Sequence, residues 1–185
     1  MITEWRKFKG WLILEYFLRK PNTKTYVKQL SRELNISPRT AEIYLKEYNE
    51  RDILSKEVVG NLHLYRLNND DFLVKELKKI FILSKLKETV KKIITEINPV
   101  STAVHGSVAT GTYSEKSDID ILIITLEKTH LKKTKVPSLL REVKEKTGLN
   151  VEAVLFNIKE WRRLKQREFG KEIIHNHIIL YGASL

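Results

Sequence analysis

Apolar residues recur along this chain first at helical and then at strand spacing, and the change divides it. Phe8, Trp11, Leu12 and Leu18 form a broad apolar face on a helix that Thr3 can cap and Pro21-Asn22 ends. Val27, Leu30 and Leu34 fall at i, i+3 and i+7, which predicts a short second helix broken at Asn35-Ile36. Ser37-Pro38 is a helix start, with a serine at the N-cap and a proline where a missing N–H costs nothing. The third helix carries Ala41, Tyr44, Leu45 and Tyr48 on one face. The stretch ILSKEVVGNLHLYRLN then gives two β-prone runs about Gly60-Asn61, a two-residue hairpin turn. From Asp70-Asp71 to Ile97 the helical spacing returns, with Leu73, Leu77, Ile80, Phe81, Val90, Ile93, Ile94 and Ile97 as its stripe. No Pro or Gly interrupts it, so one long helix, or two end to end, is expected as a firm connection.

Asn98-Pro99 stops that helix. STAVHG reads as a short strand, VATGTYSEKS as one helical turn and a loop, and DIDILIIT as a strand with its polar end first. A lysine-bearing loop follows, with Lys128, Lys132, Lys133 and Lys135. Pro137 to Gly148 reads as a helix and NVEAVLF as another strand. The expected architecture is α+β in three parts: a helical and hairpin domain over 1–68, a connecting helix over 69–97, and an α/β domain with a mixed sheet over 98–185.

Composition narrows the partners. The chain has 185 residues and a formal charge of +11, from 34 Lys and Arg against 23 Asp and Glu, spread over both halves. Such a balance favours phosphate-bearing partners, although a lysine-rich solvated surface gives the same count. Cysteine is absent, which excludes disulfides, thiolate metal sites and cysteine nucleophiles. No stretch is long and apolar enough for a membrane span, and the first residues lack a signal-peptide layout. A cytoplasmic protein with no membrane partner is expected.

The candidate chemistry lies in HGSVATGTYSEKSDIDILIIT. On a strand, Asp118 and Asp120 face the same side about 6.5–7 Å apart. Like charges this close are tolerated when solvated or when a divalent cation lies between them. Mg²⁺ takes carboxylate oxygens and keeps positions open for water and phosphate. Gly106 has no Cβ to hold a phosphate off, and Ser107 adds a hydroxyl and an N–H.

Gly-Ser, ten residues, Asp-x-Asp and an aliphatic strand resemble the DNA polymerase β-like nucleotidyltransferases, most of all the minimal ones of bacteria and archaea. The resemblance covers roughly 87–185, and FGKEIIHNHIILYGASL is similar to the family's closing helix and final Leu-Tyr-Gly. It implies a third carboxylate on a later strand, a place filled by Glu152, an acid in an apolar strand that is costly to bury alone. It implies two Mg²⁺ ions about 3.5–4 Å apart, held by Asp118, Asp120 and Glu152, with Gly106 and Ser107 gripping the β- and γ-phosphates of a nucleoside triphosphate, ATP being the expected donor. It further implies transfer of a nucleotidyl group to an acceptor hydroxyl. In minimal relatives the acceptor is often a protein partner, including a helical ribonuclease toxin modified by its antitoxin. Val108, where many members carry Arg, and Glu152, where Asp is more usual, depart from the pattern. They leave a second reading open, a DNA-binding regulator whose inactive nucleotidyltransferase fold senses nucleotide or binds a partner.

Residues 1–68 resemble a winged helix-turn-helix domain in the order of their elements. If it binds DNA, the third helix enters the major groove and offers Arg39, Thr40, Ile43 and Lys46, while His63 and Arg66 of the hairpin reach the backbone. Winged helices also bind proteins, and Glu42, Glu47 and Glu50 lie beside those basic residues. His175 and His177, two apart on an expected helix, make a poor metal pair. His105 reads as a packed histidine and Trp161 as part of a surface helix.

Overall fold

The computed structural model describes residues 8–127 and 130–185, with 130–133 described by their backbone alone. Its contacts divide the chain into two compact units, one up to Phe81 and one from Ile82 onward.

The first unit begins with helices α1 (Lys9–Arg19), α2 (Val27–Leu34) and α3 (Pro38–Glu50). Strands β1 (Leu54–Val59) and β2 (Leu62–Leu67) then pair antiparallel about Gly60-Asn61. Asn35 takes a left-handed conformation that ends α2. The Thr40 N–H donates to Ser37 Oγ at 3.0 Å and closes the start of α3, a cap worth about 1 kcal/mol. Ile13, Phe17 and Leu18 of α1 are buried, as are Leu30, Ala41, Leu45, Tyr65 and Leu67. A Cβ on Gly10 would lie 2.6 Å from the Tyr44 ring, so glycine is what lets α1 approach α3 there. The face of α1 differs from expectation. Phe8 is the exposed N-cap, Trp11 and Leu12 are half-buried, and Ile13, Leu14 and Phe17 supply the core. Thr3 lies outside the described residues.

Helix α4 runs unbroken over Phe72–Ile97, with the Asp71 carboxylate accepting from the Val74 N–H at its start. The division between the two units falls within it. Leu73 and Ile80 of the expected stripe are exposed, and Val74, Ile82 and Leu86 are buried instead. Asn98, at a φ of 49°, ends the helix before Pro99.

The second unit is built on β3 (Ser101–His105), β4 (Asp118–Thr125), β5 (Asn150–Asn157) and β6 (His177–Gly182), in the order β5-β4-β3-β6. Strand β3 runs antiparallel to β4 and β6, and β4 runs parallel to β5, so the sheet is mixed. Helix α5 (Gly106–Thr110) follows β3 directly, and α6 (His130–Thr147) makes the crossover that parallel strands require. Helices α7 (Ile158–Leu164) and α8 (Glu168–His175) complete the chain before β6. Asn157 and Glu160 form a reciprocal capping box at the start of α7.

Three expectations are corrected here. Helix α6 begins at His130, seven residues before Pro137, which lies inside it. The expected loop over 128–135 is therefore helical from 130; Lys128 and the side chains of Lys132 and Lys133 lie outside the described residues, and Lys135 is exposed. The closing segment is not one helix: it stops at His175, and His177 opens a fourth strand. Trp161 is buried and stacks on Phe156 at 6.5 Å, so it belongs to the core and not to a surface face. Among the described residues no helix is long and apolar enough to cross a membrane.

Candidate active site

Strand β4 alternates. Ile119, Ile121 and Ile123 point to one face and are fully buried. Asp118, Asp120, Leu122 and Ile124 point to the other. Leu122 and Ile124 pack with Trp161 of α7 and Ile173 of α8. That cover stops short of Asp120, and both aspartates are half-buried at the open end of the strand. A strand that is apolar for most of its length thus begins with two acids.

The sheet register brings further groups to the same face. Asp120 pairs with Glu152 across the parallel β4–β5 ladder and with His105 across the antiparallel β3–β4 ladder. His105 pairs in turn with His177 of β6. Glu152, Asp120, His105 and His177 therefore form a row across four strands, with Asp118 one step from it along β4. Glu152 is exposed, because β5 is an edge strand. The burial cost expected for it does not arise; its place opposite Asp120 is what joins it to the site.

Charge is concentrated here. Burial raises the Asp120 carboxyl above the usual carboxylate range, and the charges of Glu152 and Asp118 raise it further against an opposing pull from His105. Burial lowers the His105 imidazole, again against its attraction to Asp120. Among the described residues, no hydrogen bond or ion pair engages the carboxylates of Asp118, Asp120 and Glu152, in a chain carrying a net charge of +11. No three His, Asp or Glu side chains among the described residues converge tightly enough to enclose a metal ion by themselves. The oxygen donors gathered here are two acids on one strand and a third on its neighbour, the residue types that could hold a hard cation.

Gly106 has a φ of +67°, and a Cβ there would meet Asp120 Oδ2 at 2.8 Å. Both facts require glycine: the backbone conformation is costly for other residues, and a side chain would displace the acid. Ser107 follows it, while Val108 is fully buried in the core, so this position does not reach the site. A cavity of about 270 Å³ adjoins the turn. His105, Gly106, Ser107, Thr110 and Thr112 line one side, and Glu172 and Ile173 of α8 with the following Asn176 line the other.

The structure therefore gathers Gly106, Ser107, Asp118, Asp120 and Glu152 at one end of one sheet. His105 lines the cavity and is only half-buried, not packed away. The sequence carried no signal for Thr110, Thr112, Glu172 and Asn176, and His177 was considered only as a metal partner of His175. Only β6, which was not expected, brings His177 beside His105. The six residues expected to meet DNA lie in the first unit. Arg39, Ile43 and Lys46 are exposed on α3. Lys46 pairs with Glu42 at 2.7 Å and Arg39 approaches the same acid at 3.8 Å. The Thr40 hydroxyl is 2.8 Å from Ser37 Oγ, and Arg66 donates to Ser55 at 3.1 Å. His63 and Arg66, three apart on β2, project to opposite faces of the hairpin.

A family model described as a nucleotidyltransferase domain matches residues 83–175. No curated protein matches the chain. Among solved structures, one similar to it is the crystal structure of a candidate nucleotidyltransferase from Sulfolobus solfataricus. The identity is 20%, with 59% of this chain and 87% of that one covered, and the TM-score is 0.38.

Proposed function

This chain belongs to the nucleotidyltransferase domain family, and from that premise we propose that it transfers a nucleotidyl group from a nucleoside triphosphate, ATP as the expected donor, to an acceptor hydroxyl. The observation that carries the reading is the set of three carboxylates, Asp118, Asp120 and Glu152, on one face beside the Gly106 turn, with no lysine or arginine partner among the described residues. Acids left unpaired at a half-buried site call for a cation, and the family's substrate carries one.

Asp118 and Asp120 would hold Mg²⁺, two ions in all, and Glu152 would complete the set from the neighbouring strand. The metal, when bound, offsets the charge of the triphosphate and polarises the α-phosphorus. Gly106 lets the phosphates approach the backbone, and the Ser107 hydroxyl donates to them. The acceptor oxygen bonds to the α-phosphorus, the bond to the β-phosphate breaks, and pyrophosphate leaves while the acceptor proton passes to solvent. Glu152 stands exposed on an edge strand, which leaves that side of the site open to a large acceptor. A hydroxyl on a partner protein, as in toxin and antitoxin pairs, is the acceptor we favour.

We read the first unit as a winged helix on its element order, with Arg39, Thr40, Ile43 and Lys46 of α3 and His63 and Arg66 of the hairpin as its DNA-facing residues. Sharing Glu42 between Arg39 and Lys46 keeps the expected affinity modest. The transfer reaction is tested with ATP labelled at the α- or the γ-phosphate and a candidate protein acceptor. Label from the α-position appearing on the acceptor, and none from the γ-position, supports the reading. Label from the γ-position alone would make the chain a kinase and overturn it.

A further inference from the structure

The cavity beside the Gly106 turn has two chemically different walls. On the β3–α5 side the threonine hydroxyls are already committed. Thr110 Oγ1 lies 2.8 Å from Thr112 Oγ1 and within 3.3 Å of the Gly106 carbonyl. On the α8 side the polar groups are uncommitted: among the described residues, neither the Glu172 carboxylate nor the Asn176 side-chain amide makes a hydrogen bond or ion pair. The two are held together, because the Asn176 N–H donates to the Glu172 carbonyl at 3.1 Å. Glu172 also lies close enough for its charge to act on His105.

A carboxylate repels phosphate, so this wall does not serve the triphosphate. An ionised carboxylate only accepts hydrogen bonds, and its two oxygens suit a pair of neighbouring hydroxyl donors. A ribose carries such a pair, and an acidic residue binds the ribose hydroxyl in dinucleotide folds for the same reason. An amide offers one donor edge and one acceptor, which matches the edge of an adenine. Ile173, between the two, is buried against Leu122, Ile124 and Trp161 and anchors this wall to the core.

We propose that Glu172 and Asn176 form the nucleoside subsite of this cavity, with Glu172 taking the ribose hydroxyls and so selecting ribonucleotides over deoxyribonucleotides. The inference rests on the reading of Gly106, Ser107 and the carboxylates as a nucleotide site, and it adds the residues that choose among nucleotides.

The test is calorimetric titration of ATP and of 2′-deoxy-ATP, each with MgCl₂, into the full chain and into Glu172→Ala, Glu172→Gln and Asn176→Ala. Glu172 is exposed and Asn176 is half-buried outside the core cluster, so these changes leave the core intact. The wild type is expected to prefer ATP by about 10- to 100-fold, the range for a hydrogen bond to a charged group. Glu172→Ala is expected to bring ATP down to the affinity of the deoxy form and leave the deoxy form as tight or tighter. Glu172→Gln is expected to keep part of the preference, and Asn176→Ala to weaken both nucleotides alike. An unchanged preference in Glu172→Ala, with both nucleotides bound, overturns the inference and leaves the nucleotide site standing. A wild type that binds neither nucleotide overturns both.

Discussion

Acids on α3 and acids on β4 are treated in opposite ways. Glu42 is partly exposed on a helix face, and Lys46 and Arg39 share it. Its carboxyl is held below the usual range, first by the hydrogen bond and then by the charge of Lys46. Asp120 is half-buried, has other acids as neighbours, and is pushed the other way. The first arrangement is complete within the protein, and pairs of that kind are worth little. The second is incomplete, and a fold keeps such a cost where a ligand relieves it. In a chain with 34 basic residues, none of the described lysines and arginines pairs with the site carboxylates. The contrast separates surface charge from a candidate active site better than the count of charges does.

The largest effect expected from this contrast is on transfer. Asp118→Asn or Asp120→Asn removes an oxygen ligand and should lower the transfer rate by about a thousandfold, several kcal/mol of metal-dependent stabilisation. Glu152→Gln should cost less than either, since Mg²⁺ is usually held by one or two carboxylates. Single-turnover rates with α-labelled ATP measure all three.

Gly106→Ala comes next. A left-handed backbone costs about 1–2 kcal/mol for a residue with a side chain. The added Cβ would also press on Asp120 Oδ2. A fall in Tm of roughly 4–16 °C is expected if a second unit of this size unfolds by itself, together with loss of nucleotide binding. Calorimetric scanning with and without ATP separates the two effects.

The third effect has the opposite sign. A carboxyl whose folded pKa lies above its unfolded value contributes stability that is full below the unfolded pKa and lost as pH rises through the folded one. Ionised Asp120 therefore destabilises the metal-free chain at neutral pH. Asp120→Asn should raise the Tm of the metal-free protein while it removes activity, and the gain should shrink as pH falls below the carboxylate range. Mg²⁺ with ATP should raise the Tm of the wild type more than that of the variant.

The smallest effect concerns the paired acid. Glu42→Gln frees Lys46 and Arg39 and should tighten DNA binding only about two- to fivefold, the worth of exposed pairs. The dependence of affinity on salt should steepen at the same time. Titrations at two salt concentrations check both.

Much of this was legible in the sequence where the signal is local. Ser37-Pro38, Gly60-Asn61 and Asn98-Pro99 each mark a boundary through the chemistry of one or two residues, and the structure places boundaries there. The Asp118 and Asp120 pair was legible because strand alternation alone puts both on one face. What failed depended on tertiary context. Pro137 reads as a helix start, but it lies inside a helix whose earlier residues carry few apolar side chains. Trp161 between charged residues reads as surface, and residues from other elements, Leu122, Ile124, Phe156 and Ile173, make it core. HIILYG follows a helical pattern without a strong breaker, so β6 was hidden, and with it the approach of His177, Glu172 and Asn176 to His105. A turn signal at Asn176 and the β-branched run after it were the clues available.

The most direct test of the central claim is calorimetric titration of ATP with MgCl₂ into the wild type and into the Asp118→Asn/Asp120→Asn double variant. Binding that requires magnesium is expected in the wild type, and its loss in the double variant. Equal binding by both proteins, or none by the wild type, would contradict the assignment of the unpaired carboxylates as the nucleotide site.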